Sequence, residues 1–178
     1  MADTLKDIFE NVNNWLKFAE AKNATLVAGN GLIIFGTLRL INDMCIHEYI
    51  LYYIYFSLFL ISISLVMALV SFMPKLKIPD FLLNNKIETT DNLLFFGHIV
   101  KYQDKTYLDK INNIIKSQDS TDLDLMYAQQ IIINSKIAMN KYNIFNNALH
   151  FTLAGIVSPV VYLIIKELFI EKEIRKVG

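Results

Sequence analysis

The chain has 178 residues, 54% of them hydrophobic, and its 17 basic side chains are balanced by 17 acidic ones. A formal charge of zero provides no global basic field, so a nucleic acid polymer is not expected as a partner. The single cysteine, Cys45, excludes an internal disulfide and any zinc site built from several thiolates. The class of protein must therefore be read from how the apolar residues are grouped along the chain.

Residues 1–22 have the pattern of an amphipathic cytosolic helix. Apolar side chains recur at spacings that place them on one helical stripe: Leu5, Ile8, Phe9, Val12, Trp15, Leu16 and Ala19. The segment is acidic and amphipathic, so it is not expected to be a cleaved secretory signal. Two interpretations of the stripe stay open: it packs on the protein's own cytosolic core, or it lies on the lipid surface.

Residues 23–73 are predicted to form a transmembrane helical hairpin. Residues 49–73 contain no charged side chain, and a run of this length exceeds the ~20 apolar residues that a helix needs to cross a bilayer. Backbone groups in lipid must bond within their own segment, so a strand or a loop is excluded here. The first span is residues 24–41, interrupted only by Arg39, and residues 45–48 connect the two helices.

Residues 74–146 are largely polar and are predicted to form a small cytosolic helical module. Pro74 and Pro79 end the second span. Apolar periodicity then predicts helices over residues 105–115 and 121–146. The module is too small to be a large enzyme domain.

The longer of these helices begins with Thr121 three residues before Asp124, which is the spacing of an N-cap. It is expected to continue into residues 147–170, a third transmembrane helix that Pro159 kinks without abolishing. Residues 171–178 form a polar tail. The predicted fold class is therefore an all-α integral membrane protein with an N-terminal amphipathic helix, a hairpin, a cytosolic module and a third span.

The distribution of basic residues predicts the orientation in the membrane. Lysines cluster before the first span and after the second, while only Arg39 borders the hairpin turn: Lys6, Lys17, Lys22, Lys75, Lys77 and Lys86. Because basic residues favour the cytoplasmic side, the N-terminus and the central module are expected to be cytoplasmic. A third span then places the basic residues from Lys166 onward outside, against this trend.

The sequence offers no clear motif for catalysis or for metal binding. Gly29 and Gly31 lack the third glycine of a phosphate-binding loop and lie inside a span, so close helix packing is expected of them. The histidines lack the spacing of a metal site: His47, His98 and His150. No nucleophile elbow or cysteine–histidine pair can be argued. An enzyme is therefore not expected, nor is a metal or another cofactor.

The spans carry small and polar side chains along one helical face. Ser57, Ser64 and Ser71 recur every seven residues in the second span. Ala68 lies on the same face, and Asn30 places an amide within the first span. Such a face permits close helix approach and interhelical hydrogen bonds. Two interpretations stay open: these residues pack the hairpin against itself, or they form an oligomer or pore face.

Three stretches of the sequence, taken in order, carry a resemblance to a known family: Asn14-Trp15-Leu16 to Ala19-Glu20-Ala21-Lys22-Asn23-Ala24, then Asn92-Leu93-Leu94-Phe95-Phe96-Gly97-His98-Ile99, then Gln129 through Asn134-Ser135-Lys136-Ile137-Ala138 to Lys141-Tyr142. With these stretches the chain resembles the transmembrane effector proteins of bacterial Pycsar anti-phage systems. In that family a cyclase makes cyclic CMP or cyclic UMP during infection, and the effector impairs the inner membrane and stops growth, an abortive infection. The resemblance implies a multi-pass inner-membrane protein that responds to a small cyclic nucleotide.

Within the module, the second of these stretches has residues suited to a ligand site. Phe95 and Phe96 could offer a face to a base, Gly97 a close backbone approach, and His98 and Lys101 polar and cationic groups. The adjacent helix could complete the site with Gln129, Asn134, Lys136 and Lys141. In the alternative, the phenylalanines anchor the core, the glycine makes a turn and the lysines form a solvated face.

The preferred interpretation is a homo-oligomeric effector in the lipid bilayer whose cytosolic module senses a cyclic pyrimidine mononucleotide. The rival is a membrane-anchored scaffold whose cytosolic helices recruit a protein partner. An enzyme is the third class, and a compact carboxylate or histidine cluster in the module would favour it.

The topology can be tested by cysteine labelling in intact cells. A membrane-impermeant maleimide should reach Cys45 in the hairpin turn and should fail to reach an engineered cysteine near Ser117, because the central module is expected to face the cytoplasm. Permeabilised cells, in which both positions should react, provide the control. Labelling near Ser117 together with protection of Cys45 would overturn the orientation.

Overall fold

The computed structural model describes residues 1–43, 48–73, 86–116 and 120–177, and the regular structure of this part of the chain is entirely helical. The helices are α1 (Ala2–Asp43), α2 (Glu48–Val70), α3 (Phe96–Ile99), α4 (Asp104–Ile115) and α5 (Asp122–Val177). Among them, α1, α2 and α5 are long and apolar enough to cross a membrane. The predicted fold class, an all-α membrane protein with three such helices, is confirmed.

Two helices are continuous where the sequence pattern changes from polar to apolar. α1 is unbroken from Ala2 to Asp43. It contains no proline, and no glycine precedes Gly29, so the residues that most disfavour a helix are absent where its polar part joins its apolar part. α5 passes through Pro159, so the expected continuation of the module's long helix into the third span is confirmed, and the proline does not end the helix. The polar tail predicted at residues 171–178 is helical as far as Val177.

The ends of α4 and α5 are set by local sequence. α4 ends at Lys116, whose left-handed backbone (φ 55°) lets its N–H donate to the Asn112 carbonyl. α5 begins with a reciprocal cap: the Asp124 N–H donates to Thr121 Oγ1 at 3.3 Å, and the Thr121 N–H donates to Asp124 Oδ2 at 2.9 Å. The predicted N-cap is confirmed. Some predicted features lie outside the described residues: the connection at residues 45–47, Pro74, Pro79 and Ser117.

The chain packs into two units. Unit 1 combines Met1–Lys22 with Phe72–Asn143, and unit 2 combines Asn23–Ser71 with the chain from Ile144 onward. α1 and α5 therefore each contribute residues to both units.

The core of unit 1 is built from α1, α4 and α5. The stripe on α1 contributes Leu5, Ile8 and Val12, which are buried in one cluster with Tyr107 of α4 and Ile131 of α5. Burying one such aliphatic side chain stabilises the fold by ~1.5–3 kcal/mol. Of the two interpretations of the amphipathic stripe, packing on the protein's own core is the one that these contacts show.

Unit 2 consists of the apolar parts of three helices. Leu26 of α1, Ala68 of α2 and Ala148 of α5 form its buried cluster. The same helices expose many large apolar side chains, among them Leu32, Phe35, Tyr52, Phe59, Val66, Ile156 and Ile164. Soluble monomers rarely expose apolar surface to this extent, and lipid chains are its natural cover.

α2 and α5 are in close contact at Gly155, a residue that the sequence pattern did not single out. A Cβ atom at Gly155 would lie 2.7 Å from Ile61 Cγ1 and 3.1 Å from the Ser57 backbone oxygen. The Ser57 hydroxyl donates to the Gly155 carbonyl oxygen at 2.6 Å across the same contact. Only a residue without a side chain permits this approach of the two backbones.

The glycines of α1 behave differently. A Cβ atom at Gly29, Gly31 or Gly36 would meet nothing within 4 Å. The expectation that Gly29 and Gly31 serve close helix packing is therefore wrong within this chain. The reason is geometric: spacing shows that glycines share a helix, but not whether their side of it faces another helix.

Gly155→Ala is expected to destabilise unit 2 by ~1–3 kcal/mol, because the new methyl group must displace the Ile61 side chain and the α2 backbone. Gly36→Ala is the matched control, since it adds the same methyl group to open space and alanine favours a helix by ~1 kcal/mol over glycine. Unfolding in mixed micelles with rising SDS, followed by circular dichroism, measures both. Equal unfolding midpoints for the two variants would show that α2 and α5 are not packed as described.

Candidate functional site

The polar side chains inside unit 2 form a closed ring of hydrogen bonds. The Asn30 amide nitrogen donates to Ser64 Oγ at 2.9 Å, the Ser64 and Thr152 hydroxyl oxygens lie 2.8 Å apart, and Thr152 donates to Asn30 Oδ1 at 3.0 Å. All three residues are buried. Because they belong to α1, α2 and α5, each helix is bonded to the other two.

Counting protons fixes the direction of these bonds. A hydroxyl group has one proton to donate. Since Thr152 donates to Asn30 Oδ1, Ser64 must supply the proton of the bond between the two hydroxyls. Ser64 Oγ in turn accepts from the Asn30 amide, so all three bonds run the same way around the ring. Every member both donates and accepts, as a buried polar group in hydrocarbon requires.

The other members of the predicted oligomer or pore face are also buried within the chain. Ser57 bonds to the Gly155 carbonyl, Ala68 lies in the core cluster, and Ser71 is buried just after α2. These contacts match the interpretation of packing within the chain, and they extend it from the hairpin to α5. An oligomer or pore face at these positions requires the three helices to separate, and it stays a prediction.

Phe96 belongs to an aromatic cluster of unit 1. Its ring stacks on Tyr142 with centroids 5.2 Å apart and an interplanar angle of 17°, and Trp15 lies 5.7 Å away. Phe96 is buried, whereas Phe95 is 39% exposed. Gly97 lies in α3 without a positive φ, and a Cβ atom there would come within 2.6 Å of the Phe95 ring. Core anchoring therefore describes Phe96, and Gly97 makes room for Phe95.

His98 holds the segment that precedes α3. Its Nδ1 accepts the backbone N–H of Asn92 at 2.8 Å, so the ring proton of the neutral imidazole lies on Nε2. The Asn92 side-chain oxygen accepts the backbone N–H of Leu94 at 2.9 Å, which is an Asx turn. His98 also meets the Phe95 ring edge-on, with centroids 5.3 Å apart. Its contacts in this structure are those of a residue that orders the local chain.

Asp91 is the centre of a charged network. Its carboxylate accepts hydrogen bonds from Lys101 at 2.6 Å, from the Tyr102 hydroxyl at 3.1 Å and from the Glu88 N–H at 2.9 Å. These bonds, above all the one from Glu88, lower the pKa of Asp91 to about 2. The bond to Asp91 in turn raises the pKa of Lys101. Lys110 donates to the Tyr102 hydroxyl at 3.0 Å and lies 4.8 Å from its ring centroid.

The network borders a mainly apolar cavity of 390 Å³. Asp91 and Lys110 contribute polar groups to its wall, and Ile8, Ile111 and Ile114 contribute apolar ones. Ile114, which lines this cavity, is 67% exposed. The volume falls within the ~300–1,000 Å³ typical of small-molecule sites.

Two further cavities of unit 1 have polar walls. One of 290 Å³ is lined by Lys101, Tyr102, Gln103 and Lys136, among others. The other, of 320 Å³, shares the last three of these residues and adds Lys105. Cationic and amide groups around a concave surface can bind a small anion by charge-assisted hydrogen bonds.

The structure brings only part of the predicted ligand site together. Lys101 and Lys136, which are far apart in sequence, line the same cavity. Asn134 instead donates to Asn13 Oδ1 at 2.8 Å, and Lys141 pairs with Glu20 at 3.2 Å. Gln129 lies half-buried on α5, and Phe95, Phe96, Gly97 and His98 form one local group in and before α3. A ligand-binding role for these residues stays a prediction.

Several residues of the network and of the cavity walls were not singled out from the sequence: Asp91, Tyr102, Gln103, Lys105 and Lys110. The available signal was a carboxylate directly before the motif that starts at Asn92. Its pairing with a lysine ten residues later depends on how the chain turns through α3, which neither residue type nor spacing specifies.

These features define a class of protein: a helical membrane protein that also contains a compact helical unit with polar cavities. A family model described as "Pycsar effector protein domain" matches residues 4–166. The chain therefore belongs to the Pycsar effector family, and the resemblance seen in the sequence is confirmed. The family is one of membrane effectors; that this chain has no enzymatic activity stays a prediction.

Two curated relatives show how far the similarity extends. The chain is 32% identical over 80 residues to the Pycsar effector protein GmPycTM of Gulbenkiania mobilis, a match over 45% of this chain and 37% of that protein. It is 27% identical over 150 residues to the Pycsar effector protein PtPycTM of Propioniciclava tarda, a match over 82% of this chain and 70% of that protein. No solved structure gives a significant match.

Asp91→Asn is expected to destabilise unit 1, because the amide removes the charge that holds Lys101. The pKa of Asp91 is lowered from its ordinary 3.8 to about 2, so its stabilising effect is fully present above the ordinary value and is lost as the pH falls towards the folded-state value. The melting temperature of the variant should lie below that of the parent at neutral pH. This difference should shrink as the pH falls below about 4.

Circular dichroism in detergent measures these melting temperatures. Asp109→Asn is the matched control, since Asp109 is an exposed carboxylate on α4. It should leave the melting temperature nearly unchanged. An Asp91→Asn variant as stable as the control at neutral pH would contradict the network.

Proposed function

We propose that this chain is the membrane effector of a bacterial anti-phage system and that it impairs inner-membrane integrity in response to a cyclic pyrimidine mononucleotide, causing abortive infection. The observation that carries the proposal is the family match over residues 4–166, in a chain with three helices able to span a membrane. The relatives in two other bacteria are themselves named Pycsar effector proteins. Cyclic CMP and cyclic UMP are the ligands that membership of this family suggests.

Unit 1 has the features that a sensor of a small anion needs. It contains polar-walled cavities and a network of ionised groups whose positions are fixed by hydrogen bonds. The proposal assigns unit 1 and the N-terminus to the cytoplasm, where such a nucleotide would be made. The excess of lysines on this side of the spans supports the assignment.

Unit 2 would supply the membrane response. We call the packing of α1, α2 and α5 described above the closed arrangement. In it, the polar groups of Asn30, Ser64 and Thr152 are paired with one another. Interhelical hydrogen bonds in membranes contribute only ~0.6 kcal/mol on average and up to ~1.7 kcal/mol. Separating the helices would therefore cost little per bond, and it would present these polar groups to water along a path between them.

The chain supplies a physical link between sensing and response. α1 and α5 are unbroken helices, and each contributes residues to both units. A ligand shifts such a protein only if it binds one arrangement more tightly than the other. The proposal therefore requires that the nucleotide favour an arrangement in which the ring in unit 2 is open.

Assembly into a homo-oligomer is part of the proposal. On α1, the small residues Ala24, Ala28 and Gly31 lie on one helical face, and both alanines are exposed. Nothing in the chain approaches the position of a Cβ atom on Gly31. Small residues in this pattern allow helices of neighbouring copies to pack closely in lipid.

Purified protein in proteoliposomes tests the function. Cyclic CMP or cyclic UMP should bind, as measured by calorimetry, and should release an encapsulated dye, whereas linear CMP and UMP should do neither. A protein that binds no cyclic pyrimidine and releases no dye at any concentration would favour the rival function, a membrane-anchored scaffold for a protein partner.

Thr152→Val tests the role of the ring in the same assay. Valine keeps the shape of threonine but removes the donor to Asn30 and the acceptor for Ser64. Loss of two such bonds, ~1.2–3.4 kcal/mol together, should lower the nucleotide concentration needed for half-maximal dye release by roughly 8- to 300-fold, or raise release without ligand. Ser62→Ala, which removes an exposed hydroxyl from α2, is the matched control and should behave like the parent. A Thr152→Val variant with the parent's response would exclude the ring from gating.

A further inference from the structure

Four aromatic residues of unit 1 lie within about two helical turns of the points where the chain enters or leaves unit 2: Trp15, Phe18, Phe72 and Tyr142. We call them the aromatic layer. The Trp15 ring lies with its centroid 6.5 Å from that of Phe18 and 6.5 Å from that of Tyr142. Three of the four are open to the surroundings of the protein, since Trp15 is 37%, Phe18 50% and Phe72 44% exposed.

Two lysines place their ammonium groups on the rings of this layer. The Lys22 ammonium lies 4.8 Å from the Phe18 ring centroid and 5.3 Å from that of Tyr142, and the Lys141 ammonium lies 5.9 Å from the Phe72 centroid. Lys22 is the last residue of α1 that belongs to unit 1, and its side chain points back along the helix towards Phe18. A lysine at the end of a span that turns its charge away from the hydrocarbon in this way is snorkelling.

A second aromatic group marks the opposite end of the spans. Tyr53 of α2 and Tyr162 of α5 stack with their centroids 4.2 Å apart. Tyr142 and Tyr162 belong to one continuous helix, which separates them by about 30 Å. α2 runs for about 26 Å from Tyr53 to its end at Val70, and Phe72 follows directly. Each helix thus separates the two aromatic groups by roughly the ~30 Å thickness of the hydrocarbon core.

The lipid-covered face of α1 also continues into the aromatic layer. Phe18 and Leu32 are about four helical turns apart, so they project from the same face of the helix. Both side chains are exposed, and Leu32 is one of the large apolar side chains that unit 2 presents to lipid. The surface next to Phe18 is therefore continuous along α1 with a surface whose cover is already assigned.

We propose that the aromatic layer lies among the phospholipid headgroups of the leaflet nearer unit 1 and holds this unit against the membrane surface. Aromatic residues are enriched at this level of membrane proteins, because their rings are apolar while a hydroxyl or an indole N–H can bond to water and headgroups. The surface accounts for a set of exposed rings that the core of unit 1 does not use. It is independent of the proposed function, since it needs no nucleotide.

This assignment divides the amphipathic stripe of α1 between two surroundings. Leu5, Ile8 and Val12 are buried in the core of unit 1. The Trp15 ring, one turn further along, packs on Phe96 with centroids 5.7 Å apart and is still 37% exposed. The stripe therefore packs on protein at its N-terminal end and meets lipid headgroups at Trp15.

Tryptophan fluorescence tests the position of the layer in the unmodified full-length protein, because Trp15 is the only tryptophan of the chain. The protein is placed in phosphatidylcholine nanodiscs that contain phosphatidylcholine with a nitroxide, a quencher, on the choline or near the middle of an acyl chain. The loss of emission should be severalfold larger with the headgroup nitroxide than with the acyl-chain nitroxide. Iodide in the water should quench weakly.

Two variants calibrate the depth, each combining Trp15→Phe with one new tryptophan. Ile114→Trp places it at an exposed position of unit 1 beside a cavity that Thr4 also lines, and Thr4 lies about 16 Å from Trp15 along α1. This tryptophan should be quenched by iodide and by neither nitroxide. Phe59→Trp places it at an exposed position in the middle of α2, where the acyl-chain nitroxide should quench most.

Three results for Trp15 would overturn the proposal. Quenching like that of the Ile114→Trp variant would mean that the layer faces water, and quenching like that of the Phe59→Trp variant would place it in the hydrocarbon. Protection from iodide and from both nitroxides would mean that a second copy of the chain covers it. None of these results bears on the response to a cyclic nucleotide, so failure of this proposal and failure of the proposed function are separate outcomes.

Discussion

Because the interior of a bilayer offers no water, every polar group placed there must find its partner within the protein. In unit 2, Asn30, Ser64 and Thr152 meet this requirement by bonding to one another in a ring of three hydrogen bonds. Its members are 34, 88 and 122 residues apart in pairs, so the ring forms only when all three helices are assembled. The same assembly needs the close backbone contact at Gly155, where a side chain would keep α2 and α5 apart. Packing and polar pairing are therefore a single constraint in this unit.

Unit 1 is stabilised in a different way from unit 2. Its core buries aliphatic residues of α1, α4 and α5, and burial of that kind is driven by water. Charged groups can remain near its surface, and the network around Asp91 uses them to connect Glu88 with Lys101 and Tyr102 ahead of α4.

The helices were predictable from the sequence because the signals for them are local. A charge-free run, the stripe on α1 and the cap at Thr121 each lie within one helix. The contacts between helices could not be predicted from the sequence. Glycines in the first span looked like packing sites but face open space, while Gly155 makes the close contact. Likewise Lys101 and Lys136 were expected in one site and line one cavity, whereas Asn134 and Lys141 bond to α1.

The modest strength of the ring has a consequence for the proposed gating. Three interhelical bonds of ~0.6 kcal/mol each sum to ~2 kcal/mol, which is about a thirtyfold bias towards the closed arrangement from these bonds. Reversing that bias to the same extent requires a ligand that binds the open arrangement about a thousandfold more tightly than the closed one. Two or three charge-assisted hydrogen bonds made in only one arrangement would supply this difference.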